Sequence, residues 1–320
     1  MNTTPTTEDR VWAVLSHLSA LAFGMGILLP IIGWAEQRRK SKYASFQCLQ
    51  ALGYQSLGYT VWLLSILLIV LLLFFFVIFA AGMTAGNETT SAGISAVFGI
   101  ILGFIMVGLL GIYFLLPIIA AIACGMGKDF RYPIMGNKLA KYLGYAQADN
   151  DPEWLVQDHE ERWVAAMGHL TVIVFLWGIL APLTAWMLRD KQSLFLKFQS
   201  VQTVAYQAFA TLLYTGAGVI YMFGFTIFLG LTGFEGNSNG SITSTSMLGL
   251  VFLVVTMIIA MLIILIMPLL HILGQWAGYR VLKGDDYHYP LVGRLVENWM
   301  VNRTQLTAEE GGSSEKGKKS

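Results

Sequence analysis

The chain has 320 residues, 56% of them hydrophobic and only 12% charged, and its net charge is +1. Soluble domains carry about 25% charged residues, so the composition excludes an ordinary soluble domain and points to an integral membrane protein read against the bilayer as solvent. The small net charge gives no reason to expect a nucleic-acid partner, and two cysteines, Cys48 and Cys124, supply neither a disulfide framework nor metal-ligand spacing.

Residues 1–7 are polar and expected to fray. The first ten residues lack the basic stretch of a cleavable signal peptide, so the first apolar segment is expected to be retained. That segment, Val11 to Trp34, carries His17 and is interrupted by Gly24, Gly26 and Pro30. Glycine and proline together mark a kink or reversal in a membrane segment. A basic cluster follows, with Arg38, Arg39, Lys40 and Lys42. From Ser45 the chain reads as one long helix. Its first turns hold Phe46, Gln47, Gln50, Tyr54 and Gln55, and Val61 to Ala81 is apolar but for Ser65, long enough to span. Its leucines and phenylalanines predict a lipid-facing helix.

Thr84 to Ser91 reads as a polar turn, and its Asn87-Glu88-Thr89 glycosylation triplet is taken as chance. A second span is predicted over about Ile94 to Ala123, bent at Pro117. Its Gly99 and Gly103 pair has the spacing that lets another helix approach closely; scattered glycine is the plainer alternative. The span ends at Gly127-Lys128-Asp129-Phe130-Arg131-Tyr132-Pro133, where glycine stops a helix and proline prevents its continuation.

The plan then repeats. Glu160-Glu161-Arg162, His169, Gly178, Pro182, Trp186, Phe198-Gln199, Gln202 and Gln207 restate the first copy at one offset (169 − 17 = 152; 198 − 46 = 152). Register kept over so many positions marks a tandem duplication. Gly284-Asp285-Asp286-Tyr287-His288-Tyr289-Pro290 restates the end motif at an offset of 157 (290 − 133), so the second copy has gained five residues between its long helices. The division predicted is a frayed 1–7, a first repeat over 8–145, an acidic linker over 146–159, a second repeat over 160–303 and a disordered tail over 304–320. The linker region holds Asp149, Asp151 and Glu153.

Charge placement addresses topology. No lysine or arginine lies between Lys42 and Lys128, or between Lys197 and Arg280, and the turns in those intervals carry Glu88 and Glu235. Lysine and arginine concentrate on the cytoplasmic side. The basic segments, among them Arg189, Lys191 and Lys197 in the second copy, are therefore read as topology-determining and cytoplasmic, with both termini. Three full crossings per copy would invert the second copy against the first and place like basic loops on opposite sides. A helix over Val11 to Glu36 would be only ~39 Å long, whereas two complete crossings need ~60 Å. The reading is an all-α integral membrane protein: a tandem repeat, each copy a re-entrant or short helical hairpin plus two long transmembrane helices. The hairpins are expected to turn near Gly24–Pro30 and Gly178–Pro182. Three full spans per copy, or two short tilted spans replacing each hairpin, are the alternatives.

Few residues offer chemistry. His17 and His169 occupy equivalent places; each is either a proton or ligand group or a structural histidine hydrogen-bonded to a neighbouring serine or helix. The repeated glutamines either bond the open backbone of the hairpin or form an interfacial polar face. Asp129 and Asp286 are expected to cap a turn or pair with basic groups. The basic turns either meet anionic lipid or set topology alone. No metal, nucleophile or nucleotide motif is present, so no enzyme activity and no cofactor is expected.

At these residues the chain resembles a bacterial membrane-protein family that includes the MamF-like magnetosome proteins and looks distantly related to the small membrane subunit of the chloroplast Tic import translocon. The resemblance is carried by His17, Gly26, Pro30, Arg38–Lys42, Phe46-Gln47 and Gly127–Pro133, with Asp129, Tyr132 and Pro133 in the end motif. It is carried again by His169, Gly178, Pro182, Phe198-Gln199 and Gly284–Pro290, with Asp286, Tyr289 and Pro290. It covers nearly everything from Glu8 to Val301. It implies a non-catalytic protein of the bacterial inner membrane that self-associates or organises other membrane proteins, with a translocon-like or channel component as the alternative.

Overall fold

The computed structural model describes residues 4–83, 88–145, 154–189, 192–233 and 244–302. Asn87 of the glycosylation triplet, the acidic residues Asp149, Asp151 and Glu153, Lys191, Glu235 and the tail from Ala308 lie outside them. Among the described residues every regular element is helical. In order these are α1 (Thr7–Leu18), a 3-10 segment (Ser19–Ile27), α2 (Leu28–Gln37), α3 (Lys42–Met83), α4 (Glu88–Gly125), α5 (Met135–Leu143) and α6 (Gln157–Leu170). There follow a short 3-10 turn (Thr171–Ile173), the single turn α7 (Phe175–Gly178), α8 (Leu180–Arg189), α9 (Leu194–Gly233), α10 (Ser244–Leu282) and α11 (292–302). They form two compact units. One is Met1–Ser200 with Gly278–Tyr287; the other is Val201–Ala277 with His288–Ser320.

In the first unit α1 starts cleanly. Thr6 accepts from Asp9 N, and the Asp9 carboxylate accepts from Thr6 N, so two otherwise orphaned backbone donors are satisfied. Among the described residues five apolar helical stretches are long enough to cross a membrane, and Thr7–Gln37 is the first. This one folds back on itself. A Cβ placed on Gly26 would lie 1.9 Å from the Ser19 carbonyl oxygen, and one on Gly33 would meet Trp12 at 3.1 Å and Ser16 at 3.2 Å. Chain at 12–19 and chain at 26–33 therefore run side by side, which is the predicted hairpin. The reversal is made by the 3-10 segment, where Phe23 takes a φ of 51°. That is a region an L-residue seldom adopts, and the Tyr59 hydroxyl donates to the Phe23 carbonyl at 2.8 Å. The turn thus comes a little earlier than Gly24–Pro30. Pro30 itself is buried in the first turn of α2, where its missing N–H breaks no helical bond. In the second copy Thr171 donates to both Gly168 O at 2.6 Å and Gly178 O at 2.9 Å. Gly168 lies against buried Pro182, whose Cβ is 3.5 Å from the position a Cβ on Gly168 would take.

The two hairpins pack on each other and on the first turns of α3. The core joins Ile27 of the 3-10 segment, Ile31 and Trp34 of α2, Phe46, Leu49 and Leu52 of α3, Leu139 and Leu143 of α5, Trp163 and Met167 of α6, and Ala181 and Ala185 of α8. At the tips a Cβ on Gly24 would lie 2.7 Å from Trp177. Beyond this core α3 and α4 are bare: Phe74, Phe75, Phe79 and Phe104 are all exposed, which suits helices whose neighbours are lipid chains. Gly99 and Gly103 meet nothing within 4 Å. The expected close helix approach at that pair is not made among the described residues, so it is scattered glycine within this chain. α4 continues through Pro117.

The second unit contains most of α9 and α10 with α11. Gly224 sits against Thr256, where an added Cβ would clash at 1.7 Å, so these two long helices approach closely at that level. The Tyr214 hydroxyl and the His271 ring are hydrogen-bonded lower in the pair. His271 thereby has a structural partner.

Candidate functional site

Three polar assemblies use the residues singled out by the repeat. The first is built on His17 of α1, Gln47 and Gln50 of α3 and the end motif 127–133. Gln47 Nε2 donates to Asp129 Oδ1 and to the Phe130 carbonyl, both at 3.1 Å. That fixes the amide so that Oε1 faces His17 Nε2 at 3.0 Å. An amide oxygen only accepts, so Nε2 carries the hydrogen. Nδ1 is then the acceptor, and the Tyr132 hydroxyl donates to it at 3.0 Å. Gln50 donates to Gln47 Oε1 at 3.1 Å and to Phe130 O at 2.9 Å, while its own Oε1 accepts from Tyr132 N at 2.9 Å. His17, Gln47 and Gln50 are fully buried. Asp129 also pairs with Arg131 at 3.0 Å, the basic partner expected for it. Tyr132 stacks on Tyr54 with ring centroids 4.1 Å apart, and Phe46 stacks on Tyr145 at 4.0 Å. Pro133 is exposed and ends the motif.

Gln55 finishes the clasp. It donates to Ser16 O at 3.2 Å and Ser19 Oγ at 3.0 Å, at the point where α1 gives way to the 3-10 segment. So Gln55 holds the hairpin, Gln47 and Gln50 hold the end motif, and His17 joins the two. This ladder is interior. It is not a polar face turned to the headgroups.

The second copy restates the parts within each unit. In the first unit His169 Nε2 faces Gln199 Oε1 at 3.0 Å, and Gln199 Nε2 donates to Asp286 Oδ1 at 2.6 Å and Tyr287 O at 3.1 Å. Phe198 beside it is nearly buried. In the second unit Gln202 Oε1 accepts from Tyr289 N at 3.2 Å, and Tyr289 stacks on Tyr206 at 3.9 Å, ahead of exposed Pro290.

The third assembly was not legible as a site. Arg38, counted with Arg39, Lys40 and Lys42 as a topology-setting charge, is 2% exposed. Its guanidinium lies over the Trp34 ring at 4.9 Å. It reaches α6 of the second copy, with Nη2 3.2 Å from Glu160 Oε2 and both Nη atoms 3.3 Å from Glu161 Oε1. Arg39 and Lys40 remain exposed, and Arg39 reaches Gln157 at 2.8 Å. Lys42 lies 5.8 Å from the centre of the Tyr145 ring, and Lys197 is half-exposed. Of Arg189 only the backbone, at the end of α8, is described. Burial pushes the Glu160 carboxyl up to about 7, against the pull of Arg38 and Arg39.

Next to it Trp163 docks on α3. Its indole N–H donates to Leu49 O at 2.9 Å, and its ring fills the place of the missing side chain at Gly53, where a Cβ would clash at 2.3 Å. A signal for this interface existed in the differences between the copies. At the shared offset Trp163 faces Val11, Gly53 faces Ala205, and Arg38 faces Asp190 in the alignment of one repeat on the other. Contacts between two non-identical partners are made by positions free to differ.

These side chains can hold chain segments together. His17 and His169 are wholly buried, as are Cys48 and Cys124. Among the described residues no three His, Cys, Asp or Glu side chains gather to hold a metal.

Long apolar helices, paired hairpins and interior polar clasps define a helical integral membrane protein built from a tandem repeat. The chain belongs to the MamF/MmsF family, the magnetosome magnetite crystal formation protein family, whose model matches residues 8–139 and again 160–296. The match does not extend to the Tic import subunit. No curated protein and no solved structure matches the chain.

Proposed function

We propose that the protein is a non-catalytic assembly component of its membrane, one that self-associates or holds other membrane proteins in a defined patch. The observation that carries this reading is where the polar groups go. The histidines, glutamines and Arg38 are used inside the protein to lock two hairpins onto one core, while the outer lengths of α3 and α4 present uninterrupted apolar surface. A rigid core with long lipid-facing arms suits a scaffold better than a conduit. Family membership supports it, since a membrane compartment in which magnetite crystals form needs proteins that organise its wall.

The orientation proposed is the one the charges favour: basic segments and both termini cytoplasmic in the bacterial inner membrane, with the turns near Glu88 and Glu235 outside.

The test is mass measurement of the full chain extracted in native lipid. A defined complex larger than the 35.3 kDa chain, or stable capture of other membrane proteins, is the expected result. A lone chain at every concentration, combined with solute flux through liposomes that carry it, would replace the scaffold reading with a channel.

A further inference from the structure

A crevice opens where α1 meets the end of α4. It encloses about 440 Å³ and is lined by Thr7, Arg10, Val11, Val14, Leu15 and Gly125, a volume within the range of small-ligand sites. Its apolar wall is open, with Val11 and Leu15 49% and 41% exposed. Arg10 supplies its charge. The Arg10 Cδ lies 3.7 Å from the position a Cβ on Gly127 would take, one residue from exposed Lys128. Of the five N–H donors of a guanidinium, Arg10 uses two in long contacts, to Thr6 O at 3.4 Å and Thr7 Oγ1 at 3.5 Å. Among the described residues neither Arg10 nor Lys128 has a carboxylate partner. The nearby acids are engaged elsewhere: Glu8 accepts from Gln37 at 2.9 Å, Asp9 caps α1 through Thr6, and Asp129 pairs with Arg131.

The second copy uses the same face for itself. Val11, Val14 and Leu15 correspond to Trp163, Ala166 and Met167 at the offset of 152, and all three of these are buried in the core. Arg10 corresponds to Arg162, which pairs with Asp158 at 2.8 Å and lies over the Phe195 ring at 4.8 Å. Thr6 stands in the place of Asp158. Lys128 stands in the place of Asp285 (128 + 157 = 285), whose carboxylate pairs with Arg280. The face is therefore covered and neutralised in one copy, and open and cationic in the other.

We infer that this crevice binds one anionic glycerophospholipid, with its phosphate held by Arg10 and Lys128 and an acyl chain laid along Val11, Val14 and Leu15 beside α4. Depth selects a lipid. Gly125 ends one stretch long enough to span the membrane and Thr7 begins another, so the crevice lies at the level of the headgroups. Its charged groups and its apolar wall adjoin, as the two parts of a lipid do, whereas a free phosphate would leave the wall bare. Basic groups at this level attract anionic headgroups, and a guanidinium matches a phosphate with two parallel N–H bonds.

The test is native mass spectrometry of the full chain in detergent, titrated with phosphatidylglycerol and with phosphatidylcholine of the same acyl chains. One phosphatidylglycerol should be retained at concentrations where phosphatidylcholine is not. Arg10→Gln and Lys128→Gln should each weaken that binding roughly fivefold, and Arg10→Lys, which keeps the charge, should lose less than Arg10→Gln. Thr6→Asp introduces the second copy's acid and should weaken binding as Arg10→Gln does; aspartate caps a helix as well as threonine, so α1 keeps its start. Lys138→Gln with Lys141→Gln, two exposed charges on α5, should leave binding unchanged. Inorganic phosphate at millimolar concentration should not displace the lipid. Retention of both lipids alike, retention of neither, or undiminished binding by Arg10→Gln would overturn the assignment. An equal loss from the α5 pair would overturn it in favour of diffuse attraction, and displacement by inorganic phosphate in favour of a free anion.

Discussion

His17 is best understood as a splice between two pieces of chain. Its Nε2–H serves Gln47 and its Nδ1 receives Tyr132, so neither nitrogen is left for a ligand. Replacing it by alanine leaves the buried Tyr132 phenol without its acceptor, takes one of two donors from the buried Gln47 oxygen, and opens a cavity. Such losses cost about 1–3 kcal/mol per unsatisfied group. His17→Ala should therefore destabilise the protein by roughly 2–4 kcal/mol, measured by unfolding in mild detergent. Wild-type stability in that variant would contradict the clasp. Glu160 makes a prediction of opposite sign to most carboxylates. Its folded pKa of about 7 lies above the ordinary 4.5, so the folded state holds a proton that the unfolded state releases. The stability it contributes is present below about 4.5 and is lost as pH rises through about 7. The cause is burial of the carboxyl, which outweighs the pull of Arg38 and Arg39. Glu160→Gln keeps the shape and cannot ionise, so the difference in stability between variant and wild type should grow between those pH values by roughly 2–3 kcal/mol. Parallel pH profiles for the two proteins would dismiss the proton.

Between elements, the interface that matters most joins α6 to α3. In a bilayer helices gain little from the hydrophobic effect, because lipid chains are as apolar as leucine; close packing and hydrogen bonds decide. Trp163 supplies both, its ring in the Gly53 slot and its N–H on Leu49 O. A methyl group at Gly53 would push the indole out. Gly53→Ala is expected to cost roughly 1–3 kcal/mol, as overpacking does, and Trp163→Val, the residue of the first copy, should recover part of that loss in the double variant. Strict additivity of the two effects in a double-mutant cycle would mean that the residues do not touch. The Gly99 and Gly103 pair teaches the converse. Spacing invites a close helix contact, but whether a helix arrives depends on the rest of the chain.

At the scale of the whole molecule, duplication has been turned into division of labour. The first unit contains both hairpins, the first turns of α9 and the chain 278–287, so the second copy's hairpin is built into the first copy's core. The hairpin also has a consequence for sidedness. If each one enters and leaves on the same face, cysteines at Arg10 and Arg162 should react with a membrane-impermeant thiol reagent from one side, and a cysteine at Glu88 from the other. Labelling of positions 10 and 88 from the same compartment would contradict it.

The tandem repeat, the four long helices and the presence of a reversal in each first segment follow from the sequence by itself, because spacing, apolar length and charge parity are properties of the chain taken in line. His17, Gln47 and Asp129 were visible as a recurring set, and so were their counterparts, although nothing in line said that one hydrogen-bonded ladder connects them. Only the tertiary structure decided that Arg38 is buried in an ion pair rather than exposed at a turn, and that Trp163 fills a gap left by Gly53. Residues more than a hundred positions apart become neighbours only when two hairpins meet. A pairing of that kind depends on shape and desolvation at the meeting surface, which no pattern along one strand of residues records.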